Sequence, residues 1–519
     1  MVDYRADLAT APVVVDGGAF VIFQQEPARA VIGTPNGQNR MRTAVTLFLL
    51  AATIYAFSTG AHAYSVDEIT NYASARAFVQ TGTPDLRSQI DVPFSTGHLL
   101  KVEHPDEPRV TGRYGLLSWL ALVPAYAIAS AVSPDPQPVG PAFPEVNHVL
   151  PLVGLLFNPV IAAALVALTY LLARNLGLSS ATGLAVAAIT GLASPVWVYA
   201  KTLSSIPLAA AFLLAALLAL TGWRGGGGRL AVVLSGLLAG LAAAARPEYA
   251  MFAPILLVVA LASRPGRGRL VAGILWALAW LAVVIPGVGL YNLYRTGSML
   301  DFGYPGQTFL WVTDRPHIGL YGILVSPGFG LFVYMPVAVL GLWGLLTGAG
   351  QRPARWAMAA AVLTAILIYG TFNDWAGGVS WGPRYLTGVA PLLAVGVGCL
   401  LSGAAISLPA RFGAGVLAAW GLGVALLGVL FDYQRGWRNL WDVGARPDQI
   451  VWDPHFSPIG AHLRLLRQWL DGAIEPDTYL GSLLGVWTAP ALAVALTVVL
   501  VAAVVSATRF GLRGVNRAG

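Results

Sequence analysis

Along nearly its whole length the chain alternates apolar runs about as long as a bilayer is thick with short loops that carry its arginines. A hydrocarbon core of ~30 Å takes roughly 20 apolar residues per helix. Backbone crossing it must satisfy its own hydrogen bonds, which leaves helices or closed barrels. Runs of this length, rather than short alternating segments, select helices. The chain is expected to be all-α, a polytopic membrane bundle.

The runs cover residues 43–61, 114–132, 149–173, 181–200, 203–222, 230–245 and 249–262, then 270–291, 319–346, 356–372, 386–405, 412–431 and 483–506. Only 11% of the residues are charged, so the position of each charge carries information. The net charge of +7 would suit nucleic acid, but the arginines sit between apolar runs, where cytoplasmic loops concentrate Lys and Arg. No nucleic-acid partner is expected; membrane lipids are. The single cysteine, Cys399, excludes an intrachain disulfide. No C-x-x-C, P-loop or His/Cys metal spacing occurs, so neither metal nor cofactor is expected.

Residues 1–40 lack a strong period and read as a disordered cytoplasmic tail. Arg40 and Arg42 hold the start of the 43–61 run inside. A signal peptide cleaved at Ala61-His62-Ala63 is the rival reading, and either places Asp67 outside. Assigning Arg174, Arg224 to Arg229, Arg264 to Arg269, Arg352 to Arg355, Arg411 and the basic tail from Arg509 to the cytoplasm gives a regular alternation from residue 149 onward. Both 61 and 149 then lie outside, so 114–132 does not cross and is an interfacial or re-entrant segment. The organisation follows: a large extracytoplasmic loop at 62–148 within a membrane module of 41–431, a second outer loop at 432–482, and a last helix and cytoplasmic tail at 483–519. About 12 transmembrane helices result.

The outermost feature is the adjacent pair Asp67-Glu68, just past the first run. Asp67, Asn71 and Ser74 share one helical face by their i, i+4, i+7 spacing, while Ile69, Tyr72 and Ala73 share another. Adjacent carboxylates lie about 100° apart on a helix, so only one can face a reacting atom. Partial desolvation beside the lipid raises a carboxyl's pKa toward useful base strength. The plainer alternative is a pair that complements the helix dipole. Lys101, His104, Arg109 and Arg113 cluster before the 114–132 segment, and Lys201, Arg246 with Glu248, and Arg384 stand at outer span ends. Cations in those places suit a lipid-linked phosphate leaving group; each singly is also explained by snorkelling to a headgroup. Trp437, Trp441 and Trp452, with Asp432, Asp442 and Asp453, either line an acceptor site or anchor the outer interface.

Several stretches carry a family resemblance. They are Tyr64-Ser65-Val66-Asp67-Glu68, His104-Pro105 before Gly112-Arg113, Arg246-Pro247-Glu248-Tyr249, Asn292 to Ser298 followed by Asp301-Phe302-Gly303-Tyr304, Ser326-Pro327-Gly328, and Trp375 to Trp381 continuing into Gly382-Pro383-Arg384-Tyr385. Over about 41–431 the chain resembles the GT-C glycosyltransferases, in particular the bacterial protein O-mannosyltransferase and aminoarabinose-transferase branch. The resemblance implies a polyprenyl-phosphate-linked sugar donor and inverting transfer to an acceptor hydroxyl on the extracytoplasmic face of the plasma membrane, without an essential metal. Carried over by position, Asp67 is the general base with Glu68 its neighbour, and Arg113 meets the donor phosphate. Lys101, His104, Lys201, Arg246 and Arg384 are its further candidate ligands. Asn71, Tyr72, Asp374, Trp375, Trp381 and Tyr385 are the candidate acceptor and sugar contacts. The acceptor itself (glycan, lipid or protein) is left open. His104-Pro105-Asp106 departs from the family's His-Pro-Pro. Two other classes remain: a lipid or glycolipid transporter, and a non-catalytic glycolipid-binding protein.

Overall fold

A computed structural model describes residues 35–89, 101–133, 150–222, 228–263, 266–303, 313–403 and 407–480. Most of the N-terminal tail, Tyr304 and the 483–519 segment lie outside the described residues.

The chain is a helical membrane bundle. Among the described residues seven helices are long and apolar enough to cross a bilayer, starting at Gly37, Pro151, Gly228, Arg267, Arg352, Arg384 and Leu408, and six shorter apolar helices accompany them. The first, α1 (Pro35–Ser58), is followed by α2 (Val66–Thr81). Ser65 caps α2 by accepting the Glu68 N–H, and Gly82, at φ 76°, closes it. A small antiparallel ribbon, β1 (Lys101–Glu103) with β2 (Val110–Gly112), sets Lys101 opposite Gly112. Helices α3 (Leu116–Leu120) and α4 (Val123–Val132) divide the 114–132 segment, and neither alone is of crossing length.

The next helices are α5 (Pro151–Leu156), α6 (Asn158–Asn175), α7 (Ser180–Leu192), α8 (Val196–Ala200), α9 (Ile206–Gly222) and α10 (Gly228–Ala245). A 3-10 turn, Pro247–Phe252, leads into α11 (Ala253–Ala262). Helix α12 (Arg267–Val284) passes through a π-helical stretch at Ile285–Leu290, where Pro286 removes an N–H donor, into α13 (Tyr291–Thr296).

The long apolar run at 319–346 is broken into α14 (Pro316–Val325), α15 (Leu331–Tyr334) and α16 (Ala338–Thr347). Ser326-Pro327-Gly328 and Pro336 supply the breaks, because proline leaves a helix one donor short and clashes with its preceding turn. Helices α17 (Arg352–Gly370), α18 (Ala390–Leu401), entered through a 3-10 turn at Arg384–Val389, and α19 (Leu408–Leu430) complete the described bundle. Three further helices, α20 (Tyr433–Asp442), α21 (Pro447–Trp452) and α22 (Pro458–Leu470), pack over its end.

Small residues let the long helices touch backbone to backbone. A Cβ on Gly344 of α16 would stand 1.9 Å from the Gly396 carbonyl oxygen of α18. The bundle thereby acquires two distinct ends. At one, Gln351 donates to the Asn175 carbonyl and Arg355 to the carbonyls of Gly344 and Leu345. At the other, α10 and α17 finish, the turn before α11 and the Arg384 turn begin, and α2 meets them through the bond of Asp67 to Arg384. A second, smaller core beneath α2 joins Ile69, Tyr72, Tyr126, Val153, Phe157 and Leu203.

Candidate active site

The two carboxylates of the acidic pair face different surroundings. Glu68 is buried: its Oε2 accepts the backbone N–H of Tyr64 (3.0 Å) and Leu203 (2.8 Å), and its Oε1 accepts the Ser65 hydroxyl (3.1 Å). Burial pushes its carboxyl up to about 7, against the pull of those donors. Asp67, one residue earlier on the helix, is half-buried, and its Oδ2 accepts a hydrogen bond from Arg384 Nη2 at 2.9 Å. Burial pushes Asp67 up as well. The charge and hydrogen bond of Arg384, the Tyr114 hydroxyl and the charge of Arg246 outweigh it and hold the carboxyl below its ordinary range. The sequence argument expected desolvation to win at this position; the neighbouring guanidinium reverses the sign.

Arg384 is fixed from behind. Its Nη1 donates to the Gly377 carbonyl at 3.1 Å, and its guanidinium stands 5.3 Å from the centre of the Tyr385 ring. Gly377 has φ 78°, and a Cβ there would lie 2.8 Å from the Arg384 stem, so this position requires glycine twice over. Tyr385 stacks on Tyr369 (4.9 Å, 12°), and its hydroxyl donates to Asp374 at 3.4 Å. Arg246, at the end of α10, pairs with Glu248 (2.6 Å) and faces the same cluster. The strap bearing Arg113 and Tyr114 is held by buried Arg295. Its Nη1 donates to the carbonyls of Gly112 (3.3 Å), Arg113 and Tyr114 (3.4 Å). Gly115 fits against the Ala244 carbonyl at a spacing that admits no side chain.

Asp67, Arg384, Arg246, Tyr385 and Asp374 are thus brought together. Others of the expected set are engaged elsewhere. His104 Nδ1 accepts the N–H groups of Asp106 and Glu107 within the β1–β2 turn, and Lys101 opens β1. Asn71 accepts the Ser118 hydroxyl (3.0 Å), and the Tyr72 hydroxyl accepts the Leu150 N–H (3.2 Å), both facing the core beneath α2. Trp375 packs on α14, where Gly319 and Gly322 make room for its ring, and lies 6.1 Å from Trp452. Trp381 is fully buried between Tyr334 (5.4 Å) and His462 (4.4 Å).

Lys201 belongs to a second, closed centre. It is 1% exposed, and its Nζ donates to the carbonyls of Val429 (2.9 Å) and Phe431 (3.1 Å) and to Asp477 Oδ2 (2.8 Å). Asp477 also accepts from the Tyr64 hydroxyl (2.7 Å) and pairs with His62 Nε2 (2.9 Å). Burial alone would lower the His62 pKa; the Asp477 charge and hydrogen bond raise it to about 9. Asp477 was not singled out from the sequence, since nothing local distinguishes it from other loop acids.

Among the described residues no group of three His, Cys, Asp or Glu side chains is placed to hold a metal ion. An apolar cavity of about 490 Å³ opens between α9, α11 and α17, lined by Leu220, Pro254, Val258, Trp356 and Ala357 among others. The 3-10 turn that leads into α11 and the far end of α17 carry Glu248 and Tyr369 of the acidic site.

No protein-family profile matches the chain, and no curated protein does. Among solved structures, ArnT from Cupriavidus metallidurans in the apo state superposes with a TM-score of 0.50 at 16% identity, covering 91% of this chain and 75% of that one. ArnT of the same organism bound to undecaprenyl phosphate gives 0.49 at 16% identity, covering 90% and 75%. The apo oligosaccharyltransferase of Archaeoglobus fulgidus gives 0.40 at 12% identity, covering 80% and 59%. At such identities the likeness is one of fold, and the apo ArnT match carries it: this chain is a multi-pass membrane protein with a fold like that of ArnT.

Proposed function

We propose that the protein is a membrane glycosyltransferase that moves a sugar from a polyprenyl-phosphate donor to an acceptor hydroxyl, with inversion, at the extracytoplasmic face of the plasma membrane. The observation that carries this reading is the half-exposed Asp67 carboxylate, set between Arg384 and Arg246 at one end of an apolar bundle. An acid beside two guanidiniums is what a displacement at a phosphate-bearing carbon requires: a base for the nucleophile and positive charge for the leaving group. Arg384 and Arg246, with Arg113 on its strap, serve the phosphate in this reading; Lys201, closed off with Asp477, serves the architecture.

Asp67 takes the proton of the acceptor hydroxyl, whose oxygen attacks the anomeric carbon from the face opposite the phosphate. The bond from that carbon to the phosphate oxygen breaks with its electron pair staying on the phosphate, which the guanidiniums neutralise. The lipid tail follows α11 and α17 toward the apolar cavity. Trp356 to Tyr369 spans about 20 Å at 1.5 Å per helical residue, a length suited to a polyprenyl chain. Tyr385, Asp374 and Trp375 border the acceptor side.

The test is release of polyprenyl phosphate from a panel of polyprenyl-phosphate sugars by wild type and Asp67→Asn in lipid, with source-cell membranes as acceptor. Release by wild type and not by the variant supports the reading. No release from any donor overturns it and leaves glycolipid binding without turnover, the alternative favoured by the Asp67–Arg384 ion pair taken alone.

A further inference from the structure

The carboxylate that the incoming hydroxyl needs and the guanidinium that the departing phosphate needs are bonded to each other. Asp67 Oδ2 takes Arg384 Nη2 at 2.9 Å, and a carboxylate oxygen already engaged in this way is a poor proton acceptor. The arginine side of the pair is incomplete. Nη1 is occupied by the Gly377 carbonyl and Nη2 by Asp67, whereas Nε is buried and donates to no described residue. Nε and Nη2 form the edge with which arginine grips an oxyanion through two parallel bonds. Asp67 fills one half of that edge.

We infer that the donor's phosphate and Asp67 compete for Arg384, so that arrival of the donor converts Asp67 from an ion-pair partner into a base. A phosphate gains the vacant Nε bond as well as Nη2, which a single-point contact to Asp67 does not offer. Asp67 then loses its nearest cation and acquires an anionic neighbour, and both changes raise its proton affinity. The other groups facing the pair are Arg246 with its partner Glu248, Asp374 and the hydroxyls of Tyr114, Tyr199 and Tyr385. Arg246 keeps Glu248 as its partner and Tyr385 is bonded to Asp374, which leaves Arg384 as the cation bonded directly to Asp67.

This inference rests on the reading of Asp67 as the base, but its test does not use transfer. Binding of a polyprenyl monophosphate is measured on the full-length protein in nanodiscs for wild type, Asp67→Asn, Arg384→Gln and the double variant. Asp67→Asn is expected to bind about tenfold tighter than wild type, the effect of removing one competing charge. In the Arg384→Gln background the same substitution should change nothing. If Arg384→Gln does not fold, Arg384→Lys replaces it; lacking the two-point edge, it should cut the gain to about a third. No gain on Asp67→Asn, or an equal gain in both backgrounds, overturns the inference, the latter because Asp67 then repels the lipid without sharing the arginine. Sugar release lost in Asp67→Asn together with either result leaves the base reading standing alone. Normal release by Asp67→Asn together with the expected coupling overturns the base reading and keeps the shared arginine. Sugar release by wild type that binds no monophosphate overturns the inference alone, and absence of both release and binding overturns the two together.

Discussion

Asp67 and Asp477 are both carboxylates held ionised by a basic partner, yet their surroundings differ in completeness. Asp477 receives Lys201, His62 and the Tyr64 hydroxyl, and Lys201 in turn has two carbonyls, so all three donors of its ammonium are used. It ties the 471–480 segment to the end of α1, where the Tyr479 N–H also donates to the Thr59 carbonyl. Asp67 is more exposed, 27% against 15% for the Asp477 side chain, and its arginine keeps a donor in reserve. A saturated ion-pair network holds structure together; a half-buried pair whose arginine leaves its buried Nε unbonded among the described residues has a donor still to be satisfied. Charge alone does not separate the two, and the count of satisfied partners does.

The largest effect that would break this contrast is on chemistry. Asp67→Asn should lower sugar transfer by about 10²–10⁴-fold, the range for removing a general base, while the protein stays folded and inserted. Asp477→Asn should do the reverse. Leaving Lys201 buried without its counter-ion costs about 3–5 kcal/mol, read as lost resistance to unfolding, while transfer per folded molecule holds at the wild-type level. If Asp477→Asn abolished transfer at unchanged stability, the two centres would have been assigned the wrong way round.

Smaller effects sharpen the comparison through pH. The His62 pKa is raised to about 9 in the folded chain, so its stabilisation is complete below about pH 6.5 and fades as pH rises through 9. The loss should be about 2 kcal/mol for a pair that is partly exposed, and His62→Gln should flatten it. Glu68 contributes a change in the same direction at lower pH. Its folded value near 7 lies above the ordinary 4.5, so stability falls between those values. Glu68→Gln should remove that slope at a cost of about 1–3 kcal/mol, because the N–H groups of Tyr64 and Leu203, which share Oε2, then meet an amide oxygen instead of a carboxylate. Unfolding followed across pH in detergent checks both.

The bundle was legible because the bilayer imposes one length on every crossing, and apolar runs between arginines record it. Breaks within runs were less so. Pro286 and Ser326-Pro327-Gly328 stood in plain view, but an average over 20 residues does not register a lost N–H. Of the site, Asp67, Arg246 and Arg384 could be found as charges at the ends of spans. Their pairing could not, because Asp67 and Arg384 lie 317 residues apart and meet only through packing. The same limit explains Lys201: its end-of-span position fitted a phosphate ligand, and only the fold brings Asp477, 276 residues away, to occupy it. Arg295 went unassigned for a related reason, since its acceptors are backbone carbonyls, which no side-chain pattern announces.

The backbone-to-backbone seam between α16 and α18 extends the reach of the site well beyond its charged residues. Arg384 opens the turn that continues directly into α18, and α18 lies against α16 with no room for a methyl group at Gly344 or Gly396. Carbons near the opposite end of the bundle therefore act as the fulcrum of a lever whose far tip is the guanidinium. An alanine at Gly344 has no room beside the Gly396 carbonyl and would displace α18, and with it the turn that carries Arg384.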